Sequence, residues 1–167
     1  MIYYVSGGER SGKTRYAMNL ALKLSEKPVY LATSRKWDAD FEKRVLRHQE
    51  ERDERWETWE RDKDVGQLDI TGKVVVMDCV TLWLTNWFMD LEQNIDLCLE
   101  NAKRELSALF NQNGTLIIIS NEIGMGVHAE SHMGRKFVEL QGWVNQFIAE
   151  HADQASFIVS GLPVRLK

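Results

Sequence analysis

Gly7-Gly8-Glu9-Arg10-Ser11-Gly12-Lys13-Thr14 fits the pattern G-x-x-x-x-G-K-[ST], and its surroundings decide the fold. Before it, Ile2-Tyr3-Tyr4-Val5-Ser6 is apolar and strand-favouring; after it, Tyr16 to Leu24 is rich in helix formers. Strand, loop and helix thus follow in the order that a phosphate-binding P-loop requires. The glycines let successive N–H groups turn inward and the helix adds its positive N-terminal end, so the loop predicts a concave anion site. Lys13 is expected to reach the β- and γ-phosphates of a nucleoside triphosphate, and the Thr14 hydroxyl to be a ligand of its Mg²⁺. The four fixed positions arise by accident in a chain of this length about one time in a hundred, so nucleotide binding is the starting point.

A length of 167 residues suits one domain, 1–167, able to bury roughly 70% of the unfolded surface. The formal charge of −4 gives no basic footprint, which argues against a nucleic-acid partner. Cys79 and Cys98 are isolated, so neither a zinc site nor a disulfide framework is indicated, and the setting reads as reducing. No apolar run approaches the 18 or so residues of a membrane span and no leader pattern opens the chain, so a cytoplasmic protein is expected. There is no internal repeat, and the only prolines are Pro28 and Pro163.

Pro28 to Thr33 reads as a second buried strand. Thr33, Ser34 and Arg35, at its carboxyl end, are either nucleotide contacts or an ordinary polar strand end. The charged stretch from Asp38 to Arg55 predicts a helix with Phe41, Val45, His48 and Arg52 on one stripe. His48 there is either a packed or surface histidine or, kept neutral between Arg44 and Arg52, a nucleophile. Trp56 to Glu60 alternates and predicts a short strand. Lys73-Val74-Val75-Val76-Met77-Asp78 is a Walker B pattern, an acid ending a strand that is expected to lie beside the P-loop strand and to face Thr14 across the metal.

Helices are expected over 79–89, 91–111 and 128–152, strands at 115–119 and 155–160, and a tail from Gly161. Asn121-Glu122-Ile123-Gly124-Met125-Gly126 is either a ligand-approaching loop or a plain connection. The fold class is α/β and P-loop NTPase-like, a mostly parallel central sheet with helices on both faces. Most of the six tryptophans are assigned to the core or a subunit interface, with Trp83 or Trp87 at the interface.

Taken together, the P-loop, Tyr30-Leu31-Ala32-Thr33-Ser34, the Arg44 to His48 stretch leading to Trp56-Glu57-Thr58, the Asn121 to Gly126 block and the closing Val159 to Lys167 resemble the bifunctional adenosylcobinamide kinase and adenosylcobinamide-phosphate guanylyltransferase family of cobalamin biosynthesis, over nearly the whole chain. The resemblance implies two reactions: phosphorylation of adenosylcobinamide by a nucleoside triphosphate, ATP or GTP, and transfer of GMP from GTP, through a guanylyl-histidine, to adenosylcobinamide phosphate. It places the guanylylated histidine at His48. By the same carry-over, Gly7 to Thr14 (Gly7, Gly8, Glu9, Arg10, Ser11, Gly12, Lys13 and Thr14), Ala32, Thr33, Ser34, Gln49, Glu50, Glu51, Arg52, Glu60 and Asp78 match nucleotide-binding positions. Lys13 joins His48 as catalytic, and Thr14 and Asp78 as metal ligands. It also implies a homo-oligomer, often a trimer. The sequence departs from relatives that carry Glu at position 78 or a proline after Gly126, and His128 and His132 receive no role. Without the resemblance, a P-loop kinase acting on another small alcohol and a GTP-dependent binding protein fit the same motifs.

Overall fold

The structure, a computed structural model, describes residues 1–35 and 52–167. Seven strands, β1 (Ile2–Gly7), β2 (Val29–Ala32), β3 (Glu57–Glu60), β4 (Val74–Asp78), β5 (Thr115–Asn121), β6 (Gln154–Val159) and β7 (Leu162–Arg165), form one sheet in the order β3-β2-β4-β5-β1-β6-β7. All neighbours are parallel except β6 and β7. The helices are α1 (Lys13–Leu24), α2 (Val80–Asp90), α3 (Ile95–Phe110) and α4 (His132–His151).

Alternation along each strand divides the core into two layers. Tyr4, Leu31, Met77 and Ile118 point to one side, where they pack with Trp83 and Leu84 of α2, Leu106 of α3 and Val144 of α4. Val5, Val76, Ile117 and Ile119 point to the other and pack against Ala17, Met18 and Ala21 of α1. Burial on both faces explains why β5 reads as an uninterrupted apolar run rather than an alternating one. Trp83 is fully buried and Trp87 nearly so, so both rings pack in this chain's own core.

Other boundaries differ for local reasons. The described end of the expected 38–55 helix is a turn, since Asp53 accepts the Arg55 N–H at 3.0 Å and Trp56 N–H bonds the Asp53 carbonyl, a short polar side chain competing with the helix. Helix α4 starts at His132 because Ser131 caps it, its hydroxyl accepting Gly134 N–H at 2.9 Å. The expected tail is strand β7, joined to β6 through Ser160 and Gly161, both at positive φ (51° and 83°), the turn that matches the twist of a two-residue hairpin.

Strand β4 is not beside β1. Strand β5 lies between them, a correction to the expected neighbourhood. Asp78 still reaches the P-loop because α1 packs across β4 and β5 and carries Thr14 over to the end of β4.

Candidate functional site

The site lies along the carboxyl edge of the sheet, where parallel strands gather their loops. The P-loop leaves β1 between β5 and β6. A Cβ on Gly7 would come within 2.6 Å of Ser11 Oγ and 2.7 Å of the Ile158 carbonyl, so only glycine fits beside both the turning loop and β6. Gly12 has φ +93° and its carbonyl starts α1 by accepting Tyr16 N–H, which places Lys13 and Thr14 in the first helical turn. Lys13 is buried and folds back so that Nζ donates to the Gly8 carbonyl at 2.8 Å. Burial pushes its pKa down, against the pull of Glu9 and Asp78. A phosphate would offer that ammonium a charged acceptor in place of a carbonyl.

Thr14 Oγ1 donates to Asp78 Oδ2 at 3.0 Å, and Tyr30 donates its hydroxyl to the same oxygen at 2.8 Å. A hydroxyl that donates to a carboxylate keeps its lone pairs for a cation. Among the described residues there is no group of three or more His, Cys, Asp or Glu that could hold a metal, so an all-protein cage is absent from them. One hydroxyl and one carboxylate beside an anion cradle fit Mg²⁺, which keeps waters and takes its other oxygens from substrate phosphates.

The register lines up three of the expected nucleotide contacts. Ala32 pairs with Glu60 on one side and with Asp78 on the other, a row across β3, β2 and β4. Thr33 follows in that edge but is fully buried; its hydroxyl donates to the Cys79 carbonyl at 2.8 Å, and its own carbonyl accepts from Asn86. Ser34 is half-buried. Arg35 forms ion pairs with Asp62 and Asp90. Arg52 stacks its guanidinium over the Tyr30 ring, 4.0 Å from the centroid. Arg44, His48, Gln49, Glu50 and Glu51 lie outside the described residues.

Beside the P-loop, Glu122 N–H bonds the Gly7 carbonyl and the Glu122 carboxylate accepts Gly124 N–H at 2.7 Å. The loop through Gly126 is seated on a buried network: Ser120 donates to Asn145 at 2.6 Å and Gln141 donates to Ser120 at 2.7 Å. Met125 and Val127 are held outward, 77% and 97% exposed. Burial pushes the Cys79 thiol up to about 12, so it stays protonated beside Asp78 and is no nucleophile.

Two contributors escape the sequence reading. Tyr30 reads there as one residue of a buried strand and opens one of the blocks that carry the resemblance, but it receives no role. The Ser160-Gly161 turn donates Gly161 N–H to the Ser11 carbonyl at 2.8 Å; the Ser-Gly pair between apolar residues is the signal that could have found it.

The family model for cobinamide kinase / cobinamide phosphate guanyltransferase matches residues 3–166. The chain is 35% identical, over 98% of its length and 95% of the relative's, to the bifunctional adenosylcobalamin biosynthesis protein CobP of Pseudomonas aeruginosa. It is 32% identical, over the full length of both, to the bifunctional adenosylcobalamin biosynthesis protein CobU of Escherichia coli, and 30% identical to that of Salmonella typhimurium.

Proposed function

The chain belongs to the cobinamide kinase / cobinamide phosphate guanyltransferase family, and on that premise we propose that it phosphorylates adenosylcobinamide and then transfers GMP from GTP to the product, through a guanylyl-His48. In the first reaction the substrate hydroxyl oxygen attacks the γ-phosphorus of ATP or GTP; the nucleoside diphosphate leaves and the hydroxyl proton is released. In the second, a His48 ring nitrogen attacks the α-phosphorus of GTP and pyrophosphate leaves. A phosphate oxygen of adenosylcobinamide phosphate then attacks the guanylyl phosphorus, the bond to His48 breaks, and adenosylcobinamide-GDP forms. Imidazole serves at both stages because it is a nucleophile and a leaving group near neutral pH.

The observation that carries the reading is the convergence of Thr14, Asp78 and Lys13 at one P-loop. Lys13 binds phosphate oxygens as their charge redistributes, and the loop N–H groups orient the transferred group. Thr14 and Asp78 would hold Mg²⁺, which when bound neutralises charge on the phosphate oxygens. Ala32, Ser34, Arg52 and Glu60 are proposed nucleotide contacts, while Thr33, fully buried with its hydroxyl on the Cys79 carbonyl, its N–H on the Asp78 carbonyl and its own carbonyl on Asn86, is proposed to hold that edge in place behind them.

No helix among the described residues is long and apolar enough to cross a membrane, and both cysteines are free and buried; we place the protein in the cytoplasm. A homo-oligomer, a trimer by family resemblance, completes the proposal. The β7 edge, with Leu162, Val164 and Leu166 exposed, supplies apolar surface for it.

The test is incubation with Mg²⁺ and GTP labelled at the α-phosphate, followed by denaturation. Label on the chain that is stable to base, labile to acid and lost in His48→Ala is expected. GTP binding without label would leave a kinase or a binding protein and sink the guanylyl-histidine.

A further inference from the structure

Tyr30 lies on β2, 5% exposed, with its hydroxyl on Asp78 and its ring under Arg52. A buried tyrosine hydroxyl takes some partner as a rule. The choice of partner here is what carries meaning. Asp78 already accepts the Thr14 hydroxyl, and both bonds go to Oδ2; among the described residues no hydrogen bond reaches Oδ1. Two donors of different origin, one from the P-loop helix and one from β2, therefore fix the plane of one carboxylate and leave its second oxygen for a cation or its water.

The ring has a second task. The Arg52 guanidinium sits 4.0 Å from its centroid, and Trp56 meets its edge at 6.2 Å and 82°. Arg52 is a rotamer-rich cation that no described carboxylate fixes by an ion pair. An aromatic face holds such a group in place without neutralising it, which leaves its N–H donors for phosphate.

We propose that Tyr30 is a positioning residue for both halves of the site: its hydroxyl fixes Asp78 for Mg²⁺, and its ring seats Arg52 for the nucleotide. The proposal rests on the nucleotide-binding reading above and adds a residue to it. Hydrogen-bonded partners behind a metal ligand orient it, and their loss typically costs 10- to 100-fold in metal affinity.

The experiment is calorimetric titration of the full chain with GTP, in EDTA and at a series of Mg²⁺ concentrations, for wild type, Tyr30→Phe, Tyr30→Leu and Arg52→Ala. Tyr30→Phe keeps the ring, so affinity in EDTA is expected to stay within about twofold, while the Mg²⁺ needed for half-maximal tightening rises about 10-fold or more. Arg52→Ala is expected to weaken binding equally with and without Mg²⁺. Tyr30→Leu is expected to show both effects. A residue with only a structural role would lower the melting temperature of Tyr30→Phe without moving its Mg²⁺ requirement, and that outcome overturns the hydroxyl's part. Wild-type EDTA affinity in Tyr30→Leu overturns the ring's part. A wild-type protein whose GTP binding gains nothing from Mg²⁺ overturns the metal reading and the hydroxyl's part with it, whereas an unchanged Mg²⁺ requirement in Tyr30→Phe beside a Mg²⁺-dependent wild type overturns the proposal alone.

Discussion

Asp90 ends α2, where the helix dipole is negative and an acid is unfavourable. Two cations offset this: Arg35 holds both carboxylate oxygens at 2.7 Å, and Lys63 bonds Oδ2. Because Arg35 also bonds Asp62, the cluster ties the ends of β2, β3 and α2 together beneath the site. Arg35, then Lys63, hold the Asp90 carboxyl well below the usual carboxylate range. Lowering in the folded state means that the unfolded chain binds the proton more tightly. The stabilisation is therefore complete above the unfolded value near 3.9 and is lost as pH falls through the folded value. Asp90→Asn is expected to cost about 1 kcal/mol or less at neutral pH, since the group is partly exposed. Urea unfolding from neutral to acid pH should show the gap between wild type and variant closing below the carboxylate range; a gap independent of pH would mean that the ion cluster is not its source. At this scale the sequence announces Lys13 and Thr14 through a local pattern. It is silent on Tyr30, whose partner Asp78 is 48 positions away.

Among the elements, the β6–β7 hairpin is the one whose role depends most on where it lands. Its turn bonds the P-loop backbone, and a Cβ on Gly12 would lie 3.1 Å from Gly161 Cα, whereas a Cβ on Gly161 would meet only the Arg15 guanidinium at 3.3 Å, so the backbone crowding falls on Gly12 and the constraint on Gly161 is its positive φ. Pro163 is tolerated because β7 is an edge strand. Gly161→Val forces a branched side chain into the left-handed region at a cost of about 1–3 kcal/mol and is expected to weaken GTP binding along with stability. Gly161→Asn, which accepts that conformation, should retain both. Melting curves with paired GTP titrations check this. A Gly161→Val protein that melts early yet binds GTP as wild type does would reduce the turn to a structural hairpin. The residues 160–161 carry a recognisable turn pair, but their docking against Ser11 belongs to the assembled sheet.

Across the whole molecule, the loop, the Asp78 carboxylate and the hairpin turn come from strands that are far apart in sequence, so ligand binding should stabilise the fold as a unit. At GTP about a hundredfold above its dissociation constant, the linkage is worth about 2.7 kcal/mol, or roughly 5–10 °C in melting temperature for a chain of this size. Lys13→Ala is expected to abolish that shift, as differential scanning fluorimetry with Mg²⁺ and GTP would read; a full shift in the variant would move the nucleotide away from the P-loop. The strand–loop–helix at 2–24, the apolar runs at 29–33, 74–78 and 115–119 and the acid at Asp78 were legible because phosphate cradles and doubly covered strands are made by residues adjacent in sequence. The order of strands was not legible, and placing β5 between β4 and β1 follows from how α1 packs across the sheet. The sequence by itself determined the α/β class and a strand, P-loop and helix in order, since backbone geometry and glycine placement are local. Only the tertiary structure decided that Tyr30 braces Asp78, that Thr33 turns away to Cys79 and that Gly161 braces Ser11, because hydrogen-bond partners across strands are chosen by register and packing, which no local pattern encodes.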